Sequence, residues 1–244
     1  VGYETLYRGG WTKKTLQGQK MLMYVGDSGC DWWLKILQAQ ISGAHCGSAG
    51  DARWEAARHQ CITGQRLSYC LDMKGECWIC DTACSSGLTA FCTAMYSIKK
   101  ANEKHLHSTS MDCRCPGALA GGTNMISDPS VYVGACGQHM LSLKGRCFTF
   151  NGTGDGYARG EGTSMCYVKI SDSDRDTELQ EASAIGNKVN QDGRSASMTA
   201  PNGPSQQMCI KASLREAGVM PHDITASECH GTGTSLGDPI EVGS

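Results

Sequence analysis

The sequence predicts an α/β fold in which helices cover a buried sheet. Two short apolar stretches, "KMLMYVGDS" (20–28) and "ECWICD" (76–81), have the length of strands and run into turn-forming residues. After the second stretch the apolar residues recur at steps of three and four, which is the period of a helix. Strands that alternate with helices are typical of α/β domains with buried sheets.

The segment 77–100 is therefore predicted to run from a strand through a sharp turn into a helix. The apolar residues on one face of this helix are Leu88, Phe91, Met95 and Ile98. A strand rich in small residues, "GALAGGTNMI" (117–126), follows. The Asp128–Pro129 pair after it is typical of a helix start.

The later part of the chain repeats this alternation. The predicted elements are a strand "SMCYVKI" (164–170), a loop "NQDGRSASMTAPNGP" (190–204), a helix "PSQQMCIKASLREAG" (204–218) and a strand "DITASECH" (223–230). Gly218 is the predicted stop of the helix. In "DPIEVGS", Asp238 is the predicted N-cap of a last helix, with Pro239 and Glu241 in its first turn.

Composition narrows the class of protein. The net charge of −2 offers no basic surface for nucleic acid or anionic lipid. No apolar stretch approaches the roughly 20 residues that span a bilayer, and no signal-peptide pattern is present. We expect a soluble, cytoplasmic protein, with a plastid as the alternative location. The 15 cysteines are an odd number spread through apolar segments, so we interpret most of them as reduced, buried thiols rather than a disulfide scaffold.

Cys84 is the candidate nucleophile. In "CDTACSSGLTAF" it lies where the predicted strand meets the predicted helix, and Ala83 and Gly87 keep its surroundings small, as in a nucleophile elbow. The positive end of a helix dipole stabilises a thiolate, and free amides there bind an oxyanion. A buried structural cysteine fits this local pattern equally well.

His230 is the second candidate. It stands in "ECHGTGTSLGDP", between a predicted strand and a glycine-rich loop whose Thr232 and Thr234 hydroxyls suit an extended polar ligand. A hydrogen-bonded structural histidine is the alternative. Both Cys84 and His230 follow predicted strands, and ligands of α/β sheets bind at the carboxyl ends of strands.

Two signatures resemble those of β-ketoacyl synthases, in particular the condensing domains of type I polyketide synthases and related fatty acid synthases. They are "DTACSSGL" and "CHGTGTSLGDPIE". Four other stretches match in the same order: "GQRLSYCLDMKG", "LAGGTNMI", "MLSLKGRCFTFNGTGDGYARGEG" and "VNQDGRSASMTAPNGPSQQ". The similarity extends over nearly the whole chain.

The resemblance implies the thiolase-like fold, two related α/β halves in a five-layer αβαβα sandwich that forms a homodimer. Residues 1–158 would be the N-terminal half and residues 159–244 the first part of the C-terminal half, truncated at both ends. The implied domain binds no cofactor and no metal. Its substrates are carried on the phosphopantetheine of an acyl carrier protein, and neighbouring synthase domains are its other partners.

The resemblance also implies a role for each site residue. Cys84 accepts an acyl chain from a phosphopantetheine thioester. A malonyl unit then loses CO2, and its carbanion attacks the acyl-Cys84 carbonyl in a Claisen condensation. His230 matches the first family histidine, which stabilises charge on the malonyl thioester carbonyl. Thr232 and Thr234 match family threonines that hold the pantetheine arm.

The sequence departs from the family pattern in several places. It contains neither the "K-S-N-x-G-H" motif, which holds the second family histidine, nor the later glycine-rich loop, so we interpret the chain as an internal piece and expect it not to condense thioesters by itself. Gly87 replaces a common third serine and Cys229 replaces a common alanine. Both changes concern substrate preference, and the product class, polyketide rather than fatty acid, rests on the polyketide-like motifs.

Two other functions fit a Cys/His pair. One is an acyltransferase or thioesterase that forms no carbon–carbon bond, and the other is a non-condensing scaffold that binds an acyl carrier protein. Two further cysteine patterns are interpreted as structural, with no chemical function. We interpret the pairs His105/His107 and Cys113/Cys115 as part of a polar surface insertion rather than a zinc site. "CWIC" (77–80) is interpreted as core rather than a redox pair.

Overall fold

The computed structural model describes most of the chain, namely residues 1–29, 31–43, 59–103, 115–171, 173, 176, 178 and 180–244. These residues form two compact units. The first unit comprises Val1–Asp128 and Gly160–Leu179, and the second comprises Pro129–Arg159 and Gln180–Ser244. The predicted division into halves after residue 158 stays a prediction.

The first unit is built from helices and strands in alternation, as predicted. Its helices are α1 (Gly2–Arg8), α2 (Lys13–Leu16), α3 (Trp32–Ile41), α4 (Cys61–Leu71) and α5 (Ser86–Glu103). Its strands are β1 (Leu22–Gly26), β2 (Cys77–Cys80), β3 (Ala118–Asn124) and β4 (Gly162–Val168). β1, β2 and β3 fall within segments that the sequence predicts to be strands, and β4 begins two residues before its predicted segment.

The strands form one sheet in the order β2-β1-β3-β4. β1 pairs in parallel with β2 and β3, and β4 closes the order in antiparallel pairing with β3. In this register Tyr24 of β1 lies between Trp78 of β2 and Ala120 of β3. The carboxyl ends of the three parallel strands therefore meet at one edge of the sheet, which is the edge where the chain enters α5.

The core lies on both faces of this sheet. All five residues of β1 are buried, because both of its faces are covered. On one face the buried cluster consists of Leu22, Tyr24, Ala90, Ala94, Ile98, Cys115, Ala118 and Ala120. On the other face it consists of Leu6, Leu16, Met21, Met23, Val25, Leu71, Met73 and Leu119. Alternate residues of one strand thus serve two clusters, as the period of two requires.

The predicted face of α5 is confirmed at Phe91, Met95 and Ile98, which are buried or pack against the core, and is wrong at Leu88, which is 68% exposed. Ala90 and Ala94 complete the buried face. Small residues are needed because the first turn of α5 lies directly on the ends of the strands. A Cβ atom added to Gly26 would stand 2.3 Å from the Ser86 carbonyl carbon and from the Gly87 nitrogen, and one added to Gly122 would stand 3.2 Å from the Gly87 Cα.

The second unit contains helices α6 (Ser130–Gly137), α7 (Gly203–Ala217) and α8 (Gly237–Gly243). α7 begins one residue before its predicted segment, where the Asn202 side chain accepts a hydrogen bond from the Ser205 N–H, and it ends at the predicted stop, Gly218, which has φ of +70°. α8 confirms the predicted last helix, but Asp238 is not its N-cap. Asp238 lies inside the first turn, and its carboxylate is bonded to amides elsewhere.

The predicted strand at 223–230 is wrong. Residues 225–230 carry no regular structure, and they pair with no strand within the described parts of the chain. A strand needs a neighbour to complete its backbone hydrogen bonds, and an apolar pattern does not supply one.

The cysteine predictions have mixed outcomes. Of the described cysteines only Cys92 and Cys115 are buried, so the prediction that most are buried is wrong. Cys166 is an example: its neighbours Met165 and Tyr167 pack against one cluster, and the alternation of β4 turns Cys166 to the opposite face, where its position is exposed. His105, His107 and Cys113 lie outside the described residues.

The interpretation of "CWIC" as core is confirmed in part, because Cys77 and Cys80 are half-buried whereas Trp78 is exposed. Cys77 packs against the cluster on one face of the sheet and Cys80 against the cluster on the other. Burial raises the pKa of both thiols. No helix among the described residues is long and apolar enough to cross a membrane.

Candidate active site

The predicted strand–turn–helix around Cys84 is present. β2 ends at Cys80, residues Ala83–Ser85 form a single 3-10 turn, and α5 follows without a break. Cys84 lies in this turn and is exposed. The alternative that Cys84 is a buried structural thiol is therefore wrong. The turn meets the positive end of an 18-residue helix, which is the environment that favours a thiolate over a thiol.

Ala83, immediately before Cys84, has a left-handed backbone with φ of +52°. This conformation costs a non-glycine residue about 1–2 kcal/mol, so surrounding contacts must hold it. The Asp81 side chain provides one of them, because its Oδ1 accepts a hydrogen bond of 3.0 Å from the Ala83 N–H. The turn before Cys84 is thus a strained elbow, held by short-range bonds.

Hydroxyl groups supply further side-chain bonds of the elbow. The Ser86 Oγ accepts a hydrogen bond from the Thr82 N–H at 2.8 Å and donates one to the Ala83 carbonyl at 2.6 Å. The Ser85 Oγ donates to the Thr82 carbonyl at 2.9 Å. The Thr82 and Thr89 hydroxyls lie 3.0 Å apart, which links the turn to the first turns of α5. All these hydroxyl groups are neutral.

His230, Thr232 and Thr234 lie together in one loop of the second unit, and Cys84 lies in the first unit. The His230 side of the loop is fixed by one carboxylate. Glu241 accepts the His230 N–H at Oε1 (2.6 Å) and the Gly231 N–H at Oε2 (2.9 Å). Two consecutive amides bonded to the two oxygens of one carboxylate are charge-assisted contacts, so the backbone that presents His230 is strongly oriented.

A second carboxylate fixes the other side of the loop. Asp238 is 6% exposed; its Oδ1 accepts from the Gly233 N–H at 3.0 Å and its Oδ2 from the Phe150 N–H at 2.7 Å. The Thr149 hydroxyl adds a bond of 2.6 Å to the Gly231 carbonyl. The loop is therefore attached to residues 149–150 as well as to α8. We name Asp238 and Glu241 together the carboxylate clamp.

The two threonines of the loop have local partners. The Thr232 and Thr234 hydroxyl oxygens lie 3.1 Å apart, and the Thr234 Oγ1 also accepts from the Gly237 N–H at 3.1 Å. The Thr234 hydroxyl takes part in both of these contacts and thus contributes to the shape of the loop, whereas the Thr232 hydroxyl takes part in one.

Sequence reasoning missed three residues of these loops. The sequence pattern places Asp238 and Glu241 in the first turn of their own helix and indicates no role for Ser86. The doubly acidic pattern after the loop was the available signal for the carboxylate clamp. For Ser86 no signal existed, because a serine that follows Cys84 by two residues reads as an ordinary helix N-terminus.

Two family models match the chain. The model described as "Beta-ketoacyl synthase, N-terminal domain" matches residues 1–173, and the one described as "Beta-ketoacyl synthase, C-terminal domain" matches residues 182–244. Together they cover both signature loops.

Among curated proteins, the chain is 35% identical over 248 residues to a phenolphthiocerol/phthiocerol polyketide synthase of Mycobacterium tuberculosis. It is 34% identical over 243 residues to an erythronolide synthase of Saccharopolyspora erythraea. These alignments cover 100% and 99% of this chain, but only 10% and 7% of the two relatives. The chain thus spans a tenth or less of the length of these proteins.

A solved structure is similar over almost the whole chain. The ketosynthase from module 6 of the bacillaene synthase of Bacillus subtilis is 28% identical, with a TM-score of 0.78. The match covers 99% of this chain and 38% of that ketosynthase.

Proposed function

The chain belongs to the β-ketoacyl synthase family, and on that premise we propose that it serves the carbon–carbon bond-forming step of a polyketide synthase. Membership of the family confirms the predicted α/β fold of the thiolase-like class. The relatives carry the names of polyketide synthases, which favours a polyketide over a fatty acid product.

In the first step of the proposed reaction, Cys84 takes an acyl chain from a phosphopantetheine thioester. The Cys84 thiolate attacks the thioester carbonyl, a new carbon–sulfur bond forms, and the pantetheine thiol leaves. The carrying observation is the exposed Cys84 thiol on a strained turn at the positive end of α5, because this environment suits a nucleophilic cysteine. Splitting the reaction at a covalent intermediate divides one difficult step into two easier ones.

In the second step, a malonyl-type thioester on an acyl carrier protein loses CO2. The resulting carbanion attacks the acyl-Cys84 carbonyl, the carbon–sulfur bond breaks, and the Cys84 thiolate is released. His230 stabilises the negative charge that develops on the malonyl thioester carbonyl, and Thr232 and Thr234 hold the pantetheine arm. The fixed backbone at His230 supports this role, since donors aimed at a developing charge act best when they are preorganised.

Acylation of Cys84 can be tested on the chain directly. We expect a short acyl thioester of pantetheine to add one acyl mass to the protein, observed by intact mass spectrometry and mapped to the peptide with Cys84. The variant Cys84→Ala should lose this adduct. Cys70→Ala removes another exposed thiol, from α4, and should keep it.

Two outcomes would contradict the proposal. Labelling that persists in Cys84→Ala would show that another thiol is the acceptor. An adduct that forms and then hydrolyses within the time of the assay, with no transfer to a second thiol, would favour a thioesterase over a synthase.

The proposed partners are an acyl carrier protein, neighbouring synthase domains and a second copy of the chain in a homodimer. The domain binds no cofactor of its own in this proposal. Because the sequence contains no counterpart of the second family histidine, the 244-residue chain is expected to form acyl-Cys84 without going on to condense. Robust β-ketoacyl product in the same incubation, supplied with a malonyl thioester, would contradict that expectation.

A further inference from the structure

We propose that Ser86 is the positioning residue of the elbow: its hydroxyl holds Ala83 in the left-handed conformation and thereby fixes where the Cys84 thiol points. The functional part of this inference rests on the proposed role of Cys84. Ser86 itself touches neither a substrate nor the reacting sulfur in this proposal, and it acts through the backbone of residues 82–83.

The Ser86 hydroxyl uses both of its hydrogen-bonding capacities on the elbow. It accepts from the Thr82 N–H and donates to the Ala83 carbonyl, so one oxygen joins the two backbone groups that flank the strained residue. The Ser86 N–H also donates to the Ala83 carbonyl. Ser86 is 4% exposed, so water cannot readily replace the hydroxyl if it is removed.

The helix side of the elbow cannot move to compensate. The first turn of α5 lies against the backbone of Gly26 and Gly122, where even a methyl group has no room at Gly26. A change of φ at Ala83 therefore does not shift the helix. It rotates the turn relative to the helix, and the turn is the part that carries Cys84.

The bonds of Ser85, Thr82 and Asp81 do not hold the same dihedral angle. The Ser85 hydroxyl reaches only Thr82, and the Thr82–Thr89 contact joins two side chains. Asp81 restrains only the N–H of Ala83. The Ser86 side chain, unlike those of Ser85 and Asp81, bonds to the backbone on both sides of Ala83.

The test is a double-mutant cycle. One substitution, Ser86→Ala, removes the hydroxyl that holds the elbow, and the other, Ala83→Gly, removes the backbone strain. Glycine adopts φ of +52° without penalty, so Ala83→Gly removes the strain. Ser86→Ala is expected to slow acylation of Cys84 about tenfold when residue 83 is alanine, because the left-handed conformation is then weakly populated. In the Ala83→Gly background the same substitution should slow it about threefold or less.

Two readouts separate this inference from the proposed function. The first is the rate of acyl adduct formation at Cys84, and the second is the rate of iodoacetamide alkylation at Cys84, mapped by peptide mass. Alkylation needs no acyltransferase activity, and Cys166, another exposed thiol, serves as the internal standard in the same molecules. If acylation fails in the unmodified chain, the proposed function fails and the alkylation cycle still decides the role of Ser86.

Thr93→Ala is the matched control. Its hydroxyl bonds to the Thr89 carbonyl within α5 at 2.8 Å, so its loss removes a side-chain hydrogen bond of the same helix without touching the elbow. Both rates at Cys84 should stay within about twofold of the unmodified chain.

The inference is overturned by equal slowing of Cys84 in both backgrounds, or by no slowing in Ser86→Ala. If Ser86→Ala alone does not fold, as judged by circular dichroism, the double variant decides. A double variant that folds and reacts supports the role of Ser86 in opposing the strain, and one that also fails to fold overturns it.

Discussion

The elbow around Cys84 and the loop around His230 are fixed by different side-chain groups. The side-chain bonds of the elbow come mostly from neutral hydroxyls, and its backbone packs closely onto Gly26. The His230 loop is held by the carboxylate clamp, Asp238 and Glu241, which accepts four backbone N–H groups. The difference teaches that the elbow should be sensitive to added volume at Gly26, and that loss of charge at constant volume should damage the His230 loop.

The largest effect is expected from added volume at the elbow. In Gly26→Ala the new methyl group would stand 2.3 Å from the Ser86 carbonyl carbon and from the Gly87 nitrogen, and neither backbone group can yield. We expect a loss of about 3 kcal/mol in the free energy of unfolding, measured by urea denaturation, together with loss of acylation at Cys84.

Gly87→Ala is the matched control for this substitution. Its added methyl group would stand 3.5 Å from the Gly122 Cα, which is an ordinary contact, and alanine suits a helix better than glycine. Its stability should stay equal or rise by up to about 1 kcal/mol. A Gly26→Ala variant as stable as Gly87→Ala would show that the elbow is not held by packing.

A smaller effect is expected from loss of charge at the loop. Asp238→Asn keeps the volume but turns an amide NH2 toward one of the two N–H groups that the carboxylate accepts. Because Asp238 is buried, we expect a loss of about 2 kcal/mol in the free energy of unfolding. Amide hydrogen exchange at Gly233 and Phe150 should also accelerate.

Asp223→Asn provides the comparison for that variant. Asp223 accepts the Met220 N–H at 2.8 Å in an exposed turn, where water can replace the bond, so the loss should stay within about 0.5 kcal/mol. Equal losses in the two variants would mean that burial of the clamp contributes nothing.

The smallest effect concerns pH. Burial raises the pKa of several acids in the first unit, namely Tyr24, Cys77, Cys80, Cys115 and Tyr167. Each stays protonated in the folded chain at a pH where the unfolded chain has released the proton, so stability falls as pH rises above the ordinary thiol value of 9.0. Burial raises the pKa of Tyr24 from 10.0 to about 12, so its contribution is lost across that interval.

Tyr24→Phe isolates this last contribution. The variant should show a shallower fall in the free energy of unfolding between pH 10.0 and about pH 12, measured by urea denaturation at a series of pH values. An unchanged slope would rule out Tyr24 as a source of the alkaline loss.

Sequence patterns predicted the elements whose structure depends on residues close together in the chain. β1 was predicted because an unbroken apolar stretch of strand length is typical of a strand covered on both faces, and the change of period after residue 80 located the start of α5. Cys84 could be identified because a small-residue turn before a helix is a local feature. Its exposure could be read only from the structure.

The sequence predictions failed where contacts with residues far away in the chain determine the structure. Asp238 looks like a helix cap until Phe150, 88 residues earlier, is seen to donate to it. The segment 223–230 carries an apolar pattern but has no neighbouring strand within the described residues. Leu88 fits the apolar period of α5 and yet is 68% exposed, and Ala90 and Ala94 take the buried positions of the first turns.

The antiparallel strand β4 has a consequence for synthesis on the ribosome. The chain leaves the first unit after Asp128 and returns to it at Gly160, so β3 has no partner on its β4 side until Val168 has been made. During that interval a nascent chain exposes a row of unpaired backbone groups along β3, the kind of edge that templates aggregation. The pairing of β3 with β4 therefore cannot be complete until Val168 has been made and has left the ribosome.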